Sequence, residues 1–306
     1  MSGTFHGLPV HNVLTCLESG HRLPSAEAAA WRISLGYGHK EGFAQAWQRF
    51  LDGVDPSRVR ALVLGPWWSG EYDGLAGPLA AITASAARLP ALEALFLGDA
   101  ESEDCEISWL QMCDITPALD AFPRLERLVV RGGDGLELRP VRHGRLRSLT
   151  FESGGLPAPV VRALGESDLP ALTDLDVWLG VDEYGGDHTL DDLAPLLTGA
   201  RLPALRRLGL QNSEYQDDIA AAVARAPVVA RLEHLALGMG VLTDEGAAAL
   251  LEGQPLTHLA SLDLHHHYLS DGMQQRLTEA LPGVDVDLSE ADDPEDEEDR
   301  YVAVSE

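Results

Sequence analysis

The sequence predicts an α/β solenoid, in which short parallel strands alternate with helices along one repeating unit. Three observations support this prediction: an L-x-x-L-x-L motif recurs along most of the chain, its copies end 21 to 33 residues apart, and helical patterns lie between copies. Periods of this size are typical of repeat architectures, whose units bury their apolar faces against their neighbours. We expect a curved parallel sheet on a concave face and helices on a convex face.

Seven copies of the motif carry apolar residues at positions one, four and six. They are Leu92, Leu95, Leu97; Leu125, Leu128, Val130; Leu146, Leu149, Phe151; Leu172, Leu175, Val177; Leu205, Leu208, Leu210; Leu232, Leu235, Leu237; and Leu259, Leu262, Leu264. Weaker copies are Val59, Leu62, Leu64 and Leu281, Val284, Val286, with a degenerate first copy at Ala30, Ile33, Leu35. Because side chains alternate along a strand, positions four and six share a face and stack between copies. The pattern therefore indicates a leucine-rich repeat solenoid, whereas a doubly wound α/β sheet has no reason to repeat a motif.

Helical segments separate the motif copies. The stretches 242–253 and 269–281 begin with Thr243 and Ser270 as N-caps, followed by acidic residues that the helix dipole favours. The connection between Val130 and Phe151 is too short for a full helix, so we expect it to be extended.

Three parts of the chain differ in composition. Residues 1–54 hold a strand-like WRISL and a helix-like EGFAQAWQRFL, and we expect them to cap the repeat array, which occupies residues 55–288. Residues 289–306 are mostly acidic and are predicted to be a disordered tail. The closing RYVAVSE is apolar for a purely solubilising segment, so docking of a partner and solubilisation both stay open for this tail.

Charge and cysteine content restrict the partners and the compartment. With 22 Lys and Arg against 49 Asp and Glu, the net charge is -27, which opposes binding to nucleic acid or anionic lipid. We therefore expect a basic or neutral protein partner. Three sparse cysteines, and no signal peptide or membrane-spanning pattern, predict a cytoplasmic protein.

Two resemblances follow from these motifs. The helical half LTDEGAAALL makes residues 55–288 similar to the ribonuclease-inhibitor-like class of leucine-rich repeat proteins. At motif position nine that class usually has Asn or Cys, whereas this chain has Gly133, Gly154, Gly180, Ser213, Gly240 and His267. The stretches SWLQMCDITP, WLGVDEYGGD, LGLQNSEYQDDIA and LDLHHHYLS resemble an uncharacterised bacterial family of cytoplasmic leucine-rich repeat proteins. Genes of that family tend to lie beside genes for radical-SAM-like and ATP-grasp-like enzymes, so the resemblance implies a scaffold role in a modification pathway, with an enzyme as a partner.

The concave face should present motif positions five, seven and eight. Between Asp176 and Asp263, position five offers Gly209 and Ala236, which project little, so we expect a shallow trough there. Its walls should be Trp178 with Asp176 and His265 with Asp263, unless Trp178 packs down over the trough. The predicted partner-binding residues are Trp178, Asp176, Gln211, Asn212, Asp263, His265, His266, Arg131 and Glu152.

Catalytic and metal chemistry have little support in the sequence. RGGDG lacks the spacing and lysine of a phosphate-binding loop, and no nucleophile elbow is present. Strand alternation separates the side chains of His265, His266 and His267, although Asp263 and His265 share a face and keep a two-ligand metal site open. We therefore expect a non-catalytic protein-binding scaffold without a cofactor. A small-ligand or metal-binding regulatory module, and an enzyme with an unrecognised site, are the alternatives.

Overall fold

One sheet contains all the strands of the residues that the computed structural model describes, which are 3–19, 22–36, 40–68, 73–292 and 300–306. Its twelve strands follow one another in chain order; β1 and β2 form an antiparallel hairpin, and all later neighbours are parallel. The strands are β1 Thr4–Phe5, β2 Leu8–Asn12, β3 Ala30–Ile33, β4 Ala61–Leu64, β5 Ala94–Leu97, β6 Arg127–Arg131, β7 Ser148–Glu152, β8 Asp174–Gly180, β9 Arg207–Ser213, β10 His234–Ala236, β11 Ser261–Asp263 and β12 Asp285–Asp287.

Helices connect most consecutive strands, as predicted. They are α1 Val13–Glu18, α2 Phe43–Gly53, α3 Ala76–Ala84, α4 Thr116–Ala121, α5 Ala158–Glu166, α6 Leu190–Thr198, α7 Gln216–Val223, α8 Asp244–Glu252 and α9 Asp271–Ala280. The predicted caps of α8 and α9 are confirmed: Thr243 Oγ1 accepts from the Glu245 amide at 3.3 Å and Ser270 Oγ from the Met273 amide at 3.3 Å. The connection between β6 and β7 contains no helix, also as predicted. No helix among the described residues has the length and apolar character to cross a membrane.

The leucine motif stacks in register across the sheet. Position four runs without interruption from Leu95 of β5, through the intervening strands, to Leu262 of β11. These side chains and those of position six meet the buried sides of the helices and form the main core. The opposite sheet face, which we call the open face, carries a small apolar cluster at its amino-terminal end. The arrangement is mixed α/β with a mostly parallel sheet.

The terminal copies of the motif lie two residues away from their predicted positions. At the amino end Trp31 pairs with Leu62 and Ile33 with Leu64, so Trp31 occupies position four where the sequence predicts Ile33. At the carboxyl end Leu262 pairs with Val286 rather than Val284. A shift of two residues keeps the same side chains on the core face, which is why the apolar pattern could not exclude it.

From the repeat of β4 to that of β10, one carbonyl before each strand accepts two consecutive amide groups from the next repeat. The Glu93 carbonyl accepts from Glu126 at 2.7 Å and Arg127 at 3.0 Å, and the Glu126 carbonyl accepts from Arg147 at 2.8 Å and Ser148 at 3.0 Å. The same pairing recurs at Arg60, Arg147, Thr173, Arg206 and Glu233. These paired hydrogen bonds fix where each strand begins relative to the strand of the previous repeat.

Residues 300–306, which we call the C-terminal segment, lie against the loops that follow β7 to β11. Val302 is buried, and main-chain groups of the segment bond to Asn212, Met239 and Tyr268. The sequence predicts disorder across 289–306, which stays a prediction; in residues 300–306 alternating apolar side chains give the segment a side that packs against these loops. Residues 293–299 of the predicted tail lie outside the described residues.

Candidate functional site

The open face changes character along the sheet. Motif position five is apolar in β4 to β6, where it carries Val63, Phe96 and Val129. It becomes polar or small from β7 onward, with Thr150, Asp176, Gly209, Ala236 and Asp263. The predicted trough lies in this second region, because Gly209 and Ala236 separate the two aspartates by two strands of minimal side-chain height.

A cavity of about 360 Å³ occupies this region. Asp176, Gln211 and Asp263 line it, over a floor that includes Gly209 and Ala236. Sequence reasoning overlooked motif position three, which points to the same face and supplies further lining residues: Ser148, Asp174, Arg207, His234 and Ser261. Two pairs link this row, Arg207 to Asp174 at 3.1 Å and His234 Nδ1 to Ser261 Oγ at 2.7 Å. The period-two alternation that gave position five also contains this signal.

The carboxyl group of Asp176 is the most unusual group in the cavity. Burial raises its pKa above the ordinary value; a hydrogen bond from Gln211 Nε2, at 2.8 Å, opposes this, and the charges of Glu152 and Asp263 add to it. Gln211 Oε1 is buried without a hydrogen-bond partner. The cavity therefore places the carboxylates of Asp174, Asp176 and Asp263 and the unpartnered Gln211 Oε1 beside donors of which Arg207 and His234 are already paired.

The predicted walls Trp178 and His265 do not line the cavity. His265 is held by Asp263, whose Oδ1 lies 2.7 Å from His265 Nδ1 and accepts from the His265 amide at 3.0 Å. Trp178 is half-buried, and its Nε1 is buried without a hydrogen-bond partner. Both side chains lie at motif position seven, whereas the polar lining of the cavity, apart from Gln211, comes from positions three and five, nearer the amino ends of the strands.

Arg131 and Glu152 belong to a different part of the open face. They form an ion pair at 2.6 Å, and Arg131 also lies 5.5 Å from the centre of the Phe96 ring. Glu152 lines a separate cavity of about 470 Å³ with Phe5 and Phe96. The structure thus divides the predicted site into two regions.

Asn212 and His266 were predicted on the trough side, but both are buried and face the C-terminal segment. Their backbones are left-handed, with φ of 59° and 53°. A left-handed residue ends the alternation of side chains along a strand, so counting positions from the motif misplaced them. The structure corrects the prediction for these two residues.

The three consecutive histidines make separate contacts. His267 is fully buried; its Nε2 lies 3.1 Å from the Leu288 carbonyl, its Nδ1 accepts from the Leu269 amide, and burial lowers its pKa. Across the described ranges no group of three or more His, Cys, Asp or Glu side chains is arranged to hold a metal ion.

Two solved structures resemble this chain to different degrees. A crystal structure of a protein from Bacteroides fragilis matches with a TM-score of 0.78 and 28% identity, covering 95% of this chain and 83% of that chain. An internalin from Listeria monocytogenes matches with a TM-score of 0.36 and 15% identity, over 85% of this chain and 73% of that one. No protein-family model matches the chain, and no curated protein matches it.

The fold is leucine-rich-repeat-like. The stacked L-x-x-L-x-L register and the alternation of strands and helices carry this assignment, and the Bacteroides fragilis structure shares the architecture over nearly the whole chain.

Proposed function

We propose that this protein is a non-catalytic protein-binding scaffold, a leucine-rich repeat solenoid of the ribonuclease-inhibitor-like class whose open face is the concave binding side. The observation that carries the proposal is the cavity between Asp176 and Asp263. It combines a floor of small residues with buried acceptors, which suits one inserted side chain of a partner.

The chemistry of the cavity favours a basic side chain. An ionised Asp176 forms no ion pair among the described residues, and its raised pKa reflects the cost of burying that charge. An ammonium or guanidinium group would supply hydrogen bonds to the Asp176 carboxylate and to Gln211 Oε1. The net charge of -27 favours the same partners and disfavours nucleic acid and anionic membranes. The family resemblance adds that this partner is an enzyme of a modification pathway.

The cysteines support a cytoplasmic, non-catalytic protein. All three are unpaired. Burial, with help from neighbouring carboxylates, raises the pKa of Cys105 and of Cys113 to about 11. Such thiols are poor nucleophiles at neutral pH, because the thiolate is the reactive form.

The test compares two isosteric variants that remove the same charge. The partner is captured from a lysate of the source organism, purified and titrated against wild type, Asp176→Asn and Asp120→Asn. Asp120 is exposed on α4, far from the open-face chemistry, and serves as the control. We expect Asp176→Asn to weaken binding by about tenfold or more and Asp120→Asn to leave it unchanged. Equal affinities of the partner for all three proteins would show that the cavity is not part of the interface.

A small-ligand regulatory module is the second candidate, because the cavity has the size of small-molecule sites, which start at about 300 Å³. The same variants separate the two functions. Calorimetric titration with free arginine or a polyamine would show Asp176-dependent binding in the ligand case, with no protein partner captured.

A further inference from the structure

The C-terminal segment is held largely through its main chain. Val304 donates its amide to Asn212 Oδ1 at 2.9 Å and accepts from Asn212 Nδ2 at 2.5 Å. The Ala303 amide donates to the Met239 carbonyl at 2.7 Å, and the Tyr301 carbonyl lies 3.0 Å from His266 Nε2. Since every peptide carries these main-chain groups, the same contacts are available to any extended peptide.

The receiving residues occupy one position of the repeat. Asn212, Met239 and His266 are the eighth residues of three successive motifs, and all three have left-handed backbones, with φ of 59°, 66° and 53°. Left-handed backbone is uncommon for residues other than glycine, and it costs free energy that functional sites tend to retain. This shared conformation directs the Asn212 side-chain amide, the Met239 carbonyl and the His266 imidazole toward the same extended peptide.

Gly154 extends this line beyond β8. A Cβ added at Gly154 would lie 2.1 Å from the Ser305 carbonyl oxygen, and the nearest atoms that it would meet all belong to Ser305. The absence of a side chain at this position therefore allows the peptide to approach the loop after β7.

The groove has more room and more negative charge than the C-terminal segment suits. A cavity of about 660 Å³ adjoins the segment; Glu183, Tyr184 and Glu214 line it from the repeat loops, and Arg300, Val302 and Glu306 line it from the segment. The segment brings Glu306 to this acidic wall, where Tyr184 donates to Glu306 Oε1 at 2.6 Å. Because like charges repel, a basic side chain at the place of Glu306 would match these glutamates better.

We propose that the groove formed by Asn212, Met239, His266 and Gly154 is a second binding site, which takes an extended peptide with a basic residue at the place of Glu306 and which the C-terminal segment covers until that peptide displaces it. The site lies at the carboxyl ends of the strands, apart from the Asp176 cavity. Its test therefore does not depend on the function proposed for that cavity.

The experiment uses the full chain with its own segment released. Val304→Pro removes the amide that donates to Asn212 Oδ1. Ala303→Pro, made separately, removes the amide that donates to the Met239 carbonyl. Release of the segment is checked by hydrogen exchange at the Ala303 amide in Val304→Pro and at the Val304 amide in Ala303→Pro. Labelled peptides of residues 300–306, with the native Glu306, with Glu306→Gln or with Glu306→Lys, are then titrated into each protein.

We expect the peptides to bind the released chains at least about tenfold more tightly than wild type, because the tethered segment no longer competes. Affinity should rise in the order Glu306, Glu306→Gln, Glu306→Lys, and the gain should shrink in high salt. Asn212→Gly, which tolerates the left-handed backbone and removes the amide clamp, should abolish binding when combined with either release variant. Asp176→Asn in the same background should leave binding intact.

Several results would overturn the proposal. One is equal binding of the peptides to wild type and to the released chains, or no binding to either released chain. Another is full affinity in the Asn212→Gly background. Continued protection of the remaining amide in both proline variants would also overturn it, since main-chain contacts would then not hold the segment.

Discussion

The two halves of the open face differ in how far the chain covers the sheet. In β4 to β6, which we call the closed half, the hairpin of β1 and β2 places Phe5 against Val63, Val129 and Phe96 and covers part of the sheet, leaving beside it the cavity of about 470 Å³. In β8 to β11 the same motif position carries Asp176, Gly209, Ala236 and Asp263, and the sheet stays uncovered as a cavity. A repeat of constant backbone thus becomes closed or open through the side chains of one row.

Cation–ring contacts complete the closed half. The Phe5 and Phe96 ring centres lie 5.9 Å apart, Arg127 lies 5.1 Å from the Phe5 ring centre, and Arg131 pairs with Glu152. Its charges are therefore largely matched within the chain, whereas in the open half the half-buried Asp176 accepts a hydrogen bond from the Gln211 amide and forms no ion pair among the described residues. The difference indicates that external partners are expected at the second half rather than at the first.

The largest expected effect separates the two faces of one strand. Leu208→Ala should lower the unfolding free energy by about 2–5 kcal/mol, because Leu208 is 2% exposed in the main core. Gly209→Ala is the matched change on the open face, where the new methyl would meet the Asp176 carboxylate on the floor of the cavity. We expect it to weaken partner binding with little loss of stability. Denaturant unfolding and titration check the pair, and an unchanged midpoint for Leu208→Ala would contradict the repeat register.

Phe5→Ala should open the closed half. We expect a loss of about 2 kcal/mol in unfolding free energy, because the variant removes a buried ring and its contacts with Phe96 and Arg127. Phe5→Leu, which keeps apolar volume, is the control and should lose less. If both variants unfold like wild type, the hairpin does not stabilise this face.

Trp178→Ala tests the border of the cavity. Trp178 is half-buried, so part of its ring is open to a partner, and its buried, unpartnered Nε1 could donate only after the ring turns. We expect partner affinity to fall by about 2 kcal/mol with a nearly unchanged Tm. Trp178→Phe should recover the packing but not the hydrogen bond. A large drop in Tm with intact binding would show that Trp178 only packs.

The smallest expected effect concerns pH. Because the folded pKa of Asp176 is raised above 3.8, ionisation of this carboxyl costs stability, so its contribution is greatest at low pH and falls as pH rises from 3.8 through the raised value. Asp176→Asn should remove this decline, while Asp120→Asn should retain it. Urea unfolding from pH 3 upward, on the order of one pH unit per step, measures the difference. Identical pH profiles for wild type and Asp176→Asn would disprove the burial of this charge.

Sequence reasoning succeeded where local chemistry repeats. Leu95 to Leu262 and the caps Thr243 and Ser270 could be predicted because periodicity and capping are local rules. The register positions of Trp31 and Val286 were not predicted because, at the ends of the array, a shift of two residues preserves the apolar pattern.

The remaining incorrect predictions concern features that the local sequence pattern does not determine. Asn212 and His266 were misplaced because Asn and His adopt left-handed backbone more often than most residues but still only occasionally, so residue type alone did not predict it. The C-terminal segment docks on residues far away in the chain, and such contacts depend on the folded surface rather than on composition. The cavity itself was foreseen from Gly209 and Ala236, but its motif-position-three lining was not.

The carbonyl that serves two amides of the next repeat makes the array divisible into interchangeable units. Duplication or loss of a whole unit between β4 and β6 would leave each such carbonyl with its two donors, so evolution can change the length of that part without orphaning a backbone group. The same event between β9 and β11 would alter the spacing of Asn212, Met239 and His266 by one strand, about 4.8 Å. Tyr301, Ala303 and Val304 could not then all reach their partners, so lineages of this protein should vary in length in the first region and keep a fixed count in the second.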